Sequence, residues 1–72
     1  MRIEYDHEVD ALYIRFQEKL VARTKEVEDG INLDFDENGE IIGLEILDAK
    51  KRFSEKDLFN IATENLILAE AA

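Results

Sequence analysis

The sequence predicts a small α+β domain, an antiparallel β-meander of four to five strands packed against one C-terminal helix. Three observations predict it. Apolar residues alternate with period two in several segments, an Asn-Gly pair separates two of these segments, and a helix start follows the last one. A chain of 72 residues makes one domain, so we expect residues 1–49 to form the meander and 54–70 the helix, without a linker.

The first hairpin is predicted from residues 2–6 and 11–16, which alternate apolar and polar side chains. The polar residues 6–10 lie between them and supply a turn, in which Asp6 and Asp10 can bond to the backbone. Side chains on one face of each strand are candidates for the core. These candidates are Ile3, Tyr5, Leu12, Ile14 and Phe16.

Residues 20–27 indicate a third strand, and its charged side chains favour an edge position, since charges discourage pairing with other chains. The second hairpin joins residues 31–36 to 41–47 through Asn38-Gly39, a pair that favours the positive φ values of a tight turn. The outer face of its return strand carries several apolar residues. We therefore expect a partner chain to cover one face or edge of the sheet.

The helix is predicted to begin at Ser54, whose hydroxyl can cap the N–H of Asp57. Phe53 and Leu58 have the spacing of a hydrophobic staple across this cap. The three basic residues 50–52 form the joint between sheet and helix, and we expect them to pair with nearby carboxylates or a second subunit rather than with nucleic acid. The apolar residues of 54–70 occupy about half of the helix circumference, a wider arc than one small sheet requires.

The net charge of -9 comes from one segment, because residues 26–48 contain nine acids and no Lys or Arg. A surface of this sign repels phosphate groups, so we expect neither nucleic acid nor anionic membrane as a partner. Alternatively, the acids are only the solvated face of a sheet. Residues 1–72 contain no apolar stretch of signal-peptide type or of about 20 residues, which predicts a cytoplasmic protein.

The absence of cysteine removes disulfides and thiolate zinc sites as stabilisers of this short chain. A domain of this size buries only about 60% of its unfolded surface, so its margin of stability is small. We therefore expect self-association, as a homodimer or a higher homo-oligomer.

Residues 34–45 fit the spacing of a calcium-binding loop, with Asp34, Asp36, Asn38 and Glu45 as candidate oxygen ligands. An EF-hand requires a helix on each side of this loop, whereas the flanking residues alternate as strands do. In a hairpin, Glu45 lies several residues from the tip and cannot close the same cage. The prediction is an ordinary hairpin with no bound metal or cofactor, and calcium binding is kept as an alternative.

No catalytic residue is predicted. His7 is the sole histidine and lies in the polar turn, where a solvated side chain is the simpler interpretation than a metal ligand. No Ser/His or Cys/His pair and no glycine-rich phosphate loop is present. An enzyme with a site between subunits around Glu45 is kept as a further alternative, since a chain this small cannot enclose a substrate by itself.

Several spaced motifs resemble the DUF2283 family of small prokaryotic proteins. These motifs are Tyr5-Asp6, Asp10-Ala11-Leu12-Tyr13-Ile14, the segment from Asp34 to Gly39, and the segment from Gly43 to Ala49. The resemblance covers residues 1–50 and implies a compact β-meander with a variable C-terminal tail. It implies no activity and no catalytic residues, because none is assigned in that family.

The expected function is that of a small acidic protein-interaction or regulatory module, not an enzyme, that associates with itself. A basic protein is a candidate partner, because complementary charge speeds association and excludes wrong partners. An antitoxin-like neutraliser of a small basic protein is one concrete form of this hypothesis.

Overall fold

The computed structural model of the chain describes residues 1–64, which form one five-stranded antiparallel sheet followed by two short helices. The strands are β1 (Arg2–Asp6), β2 (Ala11–Arg15), β3 (Arg23–Glu28), β4 (Ile31–Phe35) and β5 (Ile41–Leu47). The helices are α1 (Ala49–Arg52) and α2 (Glu55–Leu58). The α+β class and the meander-like architecture predicted from the sequence are confirmed.

The strand order is β1-β2-β5-β4-β3, so the two predicted hairpins lie side by side through the pairing of β2 with β5. β3 is an edge strand, as its charges predicted, and all six of its residues are exposed. The link from β2 to β3 crosses from the middle of the sheet to its far edge. The alternation of apolar and polar residues cannot predict this crossing. It indicates which face of the sheet a residue lies on, but not which strands are neighbours.

The register divides the sheet into an apolar face and a polar face. Ile14 lies opposite both Ile3 and Leu44, and Leu44 lies opposite Leu33, so one apolar row runs across four strands. The apolar face carries Ile3, Tyr5, Leu12, Ile14, Ile31, Leu33, Ile42, Leu44 and Ile46, with Lys25 opposite Leu33 at its β3 edge. The polar face consists of Arg2, Glu4, Tyr13, Arg15, Thr24, Glu26, Asn32, Asp34, Gly43 and Glu45.

The core within residues 1–64 is small. Its buried hydrophobic residues are Ala11, Ile42, Ala49 and Leu58. Ile42 is the one large side chain of the described residues that is completely enclosed, while Leu33 and Leu44 remain half-buried and Ile3 is 42% exposed. The described residues therefore cover the apolar face only in part.

The C-terminal helix is shorter than predicted. The Ser54 hydroxyl accepts a hydrogen bond from the Asp57 N–H at 3.1 Å, which confirms the N-cap, but α2 ends at Leu58. Residues 59–64 are not helical, and 65–70 of the predicted helix lie outside the described residues. Asn60, Ile61 and Thr63 are weak helix formers, which explains why the helix does not continue through them.

The β4–β5 turn is wider than the two-residue Asn-Gly turn that the sequence predicted. Asp36 and Glu40 close it through a backbone hydrogen bond of 2.9 Å, and Gly39 alone takes a positive φ, of 83°. The Asp36 carboxylate accepts the N–H groups of Asn38 and Glu40, each at 2.9 Å. Asp36 is thus a buried turn former and not the last residue of a strand.

Candidate functional site

Tyr13 crosses the polar face of the sheet and joins three strands. Its ring on β2 passes over Gly43 on β5, and its hydroxyl donates a 2.7 Å hydrogen bond to Asp34 on β4. A Cβ atom at Gly43 would lie 1.9 Å from the hydroxyl oxygen, so only glycine leaves room for this path. Burial, together with the hydrogen bond to Asp34, raises the pKa of Tyr13 to about 12.

Asp34 also ties the edge strand to the sheet, because its second carboxylate oxygen accepts a hydrogen bond from the Thr24 hydroxyl on β3. On the same face, the amide of Asn32 donates to Glu45 at 3.1 Å. The four residues form cross-strand contacts that hold the register of β3, β4 and β5. Their polar atoms are hydrogen-bonded within the sheet, and these bonds hold neighbouring strands together.

Asp10 joins the first turn to the start of α1. Its carboxylate accepts the Tyr5 hydroxyl at 2.7 Å and the N–H of Lys50 at 3.1 Å, while its carbonyl accepts the N–H of Ala49 at 3.0 Å. The hydrogen bond to Asp10, followed by burial, raises the pKa of Tyr5 to about 12. The N-cap residue Asp48 makes no side-chain capping bond, so Asp10 supplies the cap from 40 residues away.

The structure does not gather the predicted calcium ligands around one point. Asp34 bonds to Tyr13 and Thr24 on the polar face, whereas Asp36 is bonded to the backbone of its own turn. Glu45 lies opposite Asn32 in the sheet and accepts its amide. Asn38 is exposed at the hairpin tip. Within residues 1–64, no group of three or more histidine or acidic side chains is placed to hold a metal ion.

His7 lies exposed in the β1–β2 turn, at the rim of an open cleft of about 510 Å³. Glu4, Glu8 and Glu45 also line this cleft, together with both tyrosines. The tyrosine hydroxyls are already engaged by Asp10 and Asp34. The cleft is therefore an acidic depression in which the two tyrosine hydroxyls take part in the structure of the sheet and its first turn.

A second groove, of about 220 Å³, is apolar and lies between the apolar face and the C-terminal segment. Its lining residues are Ile3, Leu12, Ile14, Phe53, Asp57, Leu58 and Ile61. Phe53 and Leu58, the residues of the predicted staple, both line this groove, and Phe59 packs edge-on against Tyr5 with ring centroids 5.0 Å apart. Ile61 remains 57% exposed. This groove and the uncovered apolar face form the candidate interaction site.

Most of the nine acids of residues 26–48 are not neutralised by described residues. Lys19 contacts Asp36 and Glu40 at 3.5 and 3.2 Å, and Lys51 lies 4.0 Å from Asp48. Arg52 bonds to the carbonyl groups of Leu47 and Asp29, and so anchors α1 to the end of β5 and to the neighbouring β3–β4 turn.

Sequence reasoning missed Asp10, Tyr13 and Gly43 as a group of structural contacts, since their partners are distant in the chain. A signal was available only for Gly43, an isolated glycine within a strand, which indicates close approach of another group. No helix among residues 1–64 has the length and apolar character needed to span a bilayer.

Comparison with known proteins identifies relatives of the chain. The chain is 39% identical over 71 residues to an uncharacterized protein of Methanocaldococcus jannaschii, and the match covers 99% of the chain. The chain spans 59% of the length of that relative. No solved structure matches the chain. A family model described as a protein of unknown function, DUF2283, matches residues 2–50, and the chain belongs to this family.

Proposed function

We propose that this protein is a small acidic, non-catalytic interaction module that associates with itself. The observation that carries the proposal is the partly uncovered apolar face. Leu33, Leu44 and Ile14 form a continuous row there, yet none of them is buried by residues 1–64. Contiguous apolar surface of this kind marks a contact area for another chain.

A basic protein is the proposed second partner, in a regulatory and antitoxin-like role. Glu28, Asp29 and Glu37 are exposed and make no ion pair with a described residue. Such unpaired charges attract a positively charged surface at long range, and the attraction weakens as salt screens it. We also propose a cytoplasmic location, which rests on composition alone.

The contacts of the polar face support a non-catalytic role. Tyr13, Asp34 and Glu45 carry groups that could take part in a reaction, and each is hydrogen-bonded to a neighbouring strand. Each therefore has a structural task. The geometry favours neither the calcium-binding alternative nor the alternative of an enzyme site around Glu45, and we do not propose them.

Light scattering coupled to size-exclusion chromatography tests the proposal. We expect a mass above that of the monomer at micromolar concentration, decreasing upon dilution. Co-purification from the native host, eluted with increasing salt, tests the basic partner. A strictly monomeric mass together with no salt-sensitive basic partner would remove the proposal.

A further inference from the structure

The two edges of the sheet differ in how they can meet a second copy of the chain. β1 and β3 are the edge strands of the described sheet. When an edge strand pairs antiparallel with its own copy about a two-fold axis, one residue lies opposite itself. Residues equally spaced on either side of it then lie opposite each other. Each possible register can therefore be examined from the strand sequence.

β3 places like charges opposite each other in every register of this kind. Four of its six residues are charged, and a register centred on any of these sets that residue against its own copy. A register centred on Thr24 or Val27 sets the two flanking residues against each other, and these carry the same sign. A bulge between Glu26 and Glu28 interrupts the strand further. Directly opposed like charges destabilise a strand pair, so β3 does not pair stably with β3 of a second copy.

β1 has one register without such a conflict. When Ile3 lies opposite its own copy, Arg2 lies opposite Glu4 of the second copy, and Met1 opposite Tyr5. The two Arg2–Glu4 pairs fall on the polar face, and the Ile3 pair falls on the apolar face. Registers centred on the charged residues oppose like charges, and a register centred on Tyr5 sets Glu4 against Asp6. The strand thus specifies a single two-fold pairing.

The backbone of β1 is oriented for this register. The Phe16 N–H donates to the Ile42 carbonyl across β2 and β5. Successive residues of a strand direct their backbone N–H and carbonyl groups to opposite sides, so these groups of Tyr13 point away from β5 and toward β1. Its partner Glu4 therefore points its backbone groups toward β2. The backbone groups of Ile3 and Tyr5 then point to the open edge of the sheet. The Ile3 pair then exchanges two N–H to carbonyl bonds, and the Tyr5 N–H of each copy reaches Met1 of the other. This gives about four backbone bonds.

The side chains at this edge are available for the contact. Ile3 is 42% exposed and lines the apolar groove, so two copies bring their grooves together across the two-fold axis. Arg2 uses its Nε and Nη2 atoms on Glu18, at 2.8 and 3.0 Å, and retains further N–H groups for a second carboxylate. Burial of Ile3 and Ile61 against a second copy adds apolar contact beside the strand pair.

We infer that the protein forms a two-fold dimer through antiparallel pairing of β1 with β1 of a second copy, which joins two sheets into one of ten strands. This inference rests on the proposed self-association and adds to the apolar face a second contact surface, the β1 edge. The partner is another molecule of the same chain, and the pairs that select it are Ile3 with Ile3 and Arg2 with Glu4.

Charge reversal at the edge tests the pairing by sedimentation equilibrium. Arg2→Glu and Glu4→Arg each oppose like charges twice, and we expect the dimer dissociation constant to rise roughly ten-fold or more. The double variant R2E/E4R restores opposite charges and is expected to recover most of the affinity. Lys25→Glu on β3 is the matched control and should leave the constant unchanged, with circular dichroism confirming that each variant folds.

Amide hydrogen exchange on the wild-type protein gives a second readout that needs no variant. The amides of Ile3 and Tyr5 should become protected as concentration rises, while those of Thr24 and Glu26 on β3 should not. Two results together would show that this interface is wrong while self-association is right. The dimer affinity would be unchanged by either single charge reversal, and the amides of Ile3 and Tyr5 would exchange as fast as those of an unpaired edge strand. A wild-type protein that stays monomeric would overturn both.

Discussion

The side chains that distinguish this sequence are engaged in holding its fold together. Tyr13 needs Gly43 beneath it to reach Asp34, and Asp10 binds Tyr5 and the start of α1 at once. Asp10 and Asp48 both take positive φ values, of 55° and 56°, a conformation that aspartate tolerates better than most residues. The motifs through which the chain resembles its family therefore describe a set of structural contacts.

Substitution of Gly43 by alanine tests the crossing of Tyr13. The new Cβ would overlap the tyrosine hydroxyl, so Tyr13 must move and lose its bond to Asp34. We expect a loss of about 1–3 kcal/mol in the free energy of unfolding, measured by urea denaturation. In a Tyr13→Ala background the same substitution should cost much less. An equal cost in both backgrounds would show that Tyr13 does not set the requirement for glycine.

Both tyrosines should titrate at unusually high pH. Their folded pKa values are raised to about 12, from an ordinary value of 10.0, by hydrogen bonds to carboxylates and by burial. A raised folded pKa stabilises the protein below pH 10, and this stabilisation is lost as the pH rises toward 12. Phenolate absorbance should show both transitions, and Tyr5→Phe or Tyr13→Phe should remove one each. Titration of either tyrosine near its ordinary pKa in the folded protein would contradict these hydrogen bonds.

Strands and turns were predictable from the sequence wherever a local pattern specifies them. Alternation located four strands closely, and the charges of β3 placed it at an edge. The β2–β5 pairing and α1 were missed because they depend on contacts across the sheet, such as the cap that Asp10 gives to Lys50. The exact form of the β4–β5 turn was not predicted. The Asn38-Gly39 pair indicates a two-residue turn, whereas Asp36 closes a wider one.

The Asp36 turn should make the protein sensitive to acid. The N–H of Glu40, with that of Asn38 and the charge of Lys19, lowers the pKa of Asp36 below its ordinary value of 3.8. A lowered folded pKa stabilises the protein above that value, and the stabilisation is lost as the pH falls below it. We expect Asp36→Asn to reduce the acid slope of the melting temperature. The exposed neighbour variant Glu37→Gln should keep the wild-type slope, and an identical slope in all three proteins would contradict the role of Asp36.

The separation of the candidate calcium ligands also leads to a prediction for the β4–β5 hairpin. Because Asp34, Asp36 and Glu45 are each bonded elsewhere, we expect calorimetric titration with millimolar calcium to give only the heat of dilution. Unchanged amide resonances of residues 34–45 under calcium would be the matching spectroscopic result. Saturable heat with shifts confined to this hairpin would show that the ligands converge upon binding.

At the scale of the whole molecule, the described residues do not close the core. One large side chain, Ile42, is completely enclosed among residues 1–64, and the apolar row through Leu33 and Leu44 is half-covered. So small a buried core gives a narrow margin of stability, which a second chain against the apolar face or the β1 edge would widen. We propose on this ground that self-association is tied to folding, and that the acidic surface selects a basic partner.

Denaturant unfolding at protein concentrations spanning about two orders of magnitude tests this link most directly. If a second copy completes the fold, mass action requires the unfolding midpoint to rise steadily with protein concentration, and R2E to reduce that rise. A midpoint that is the same at every concentration would show that a single chain is stable by itself, and the account of an assembly-dependent domain would be wrong.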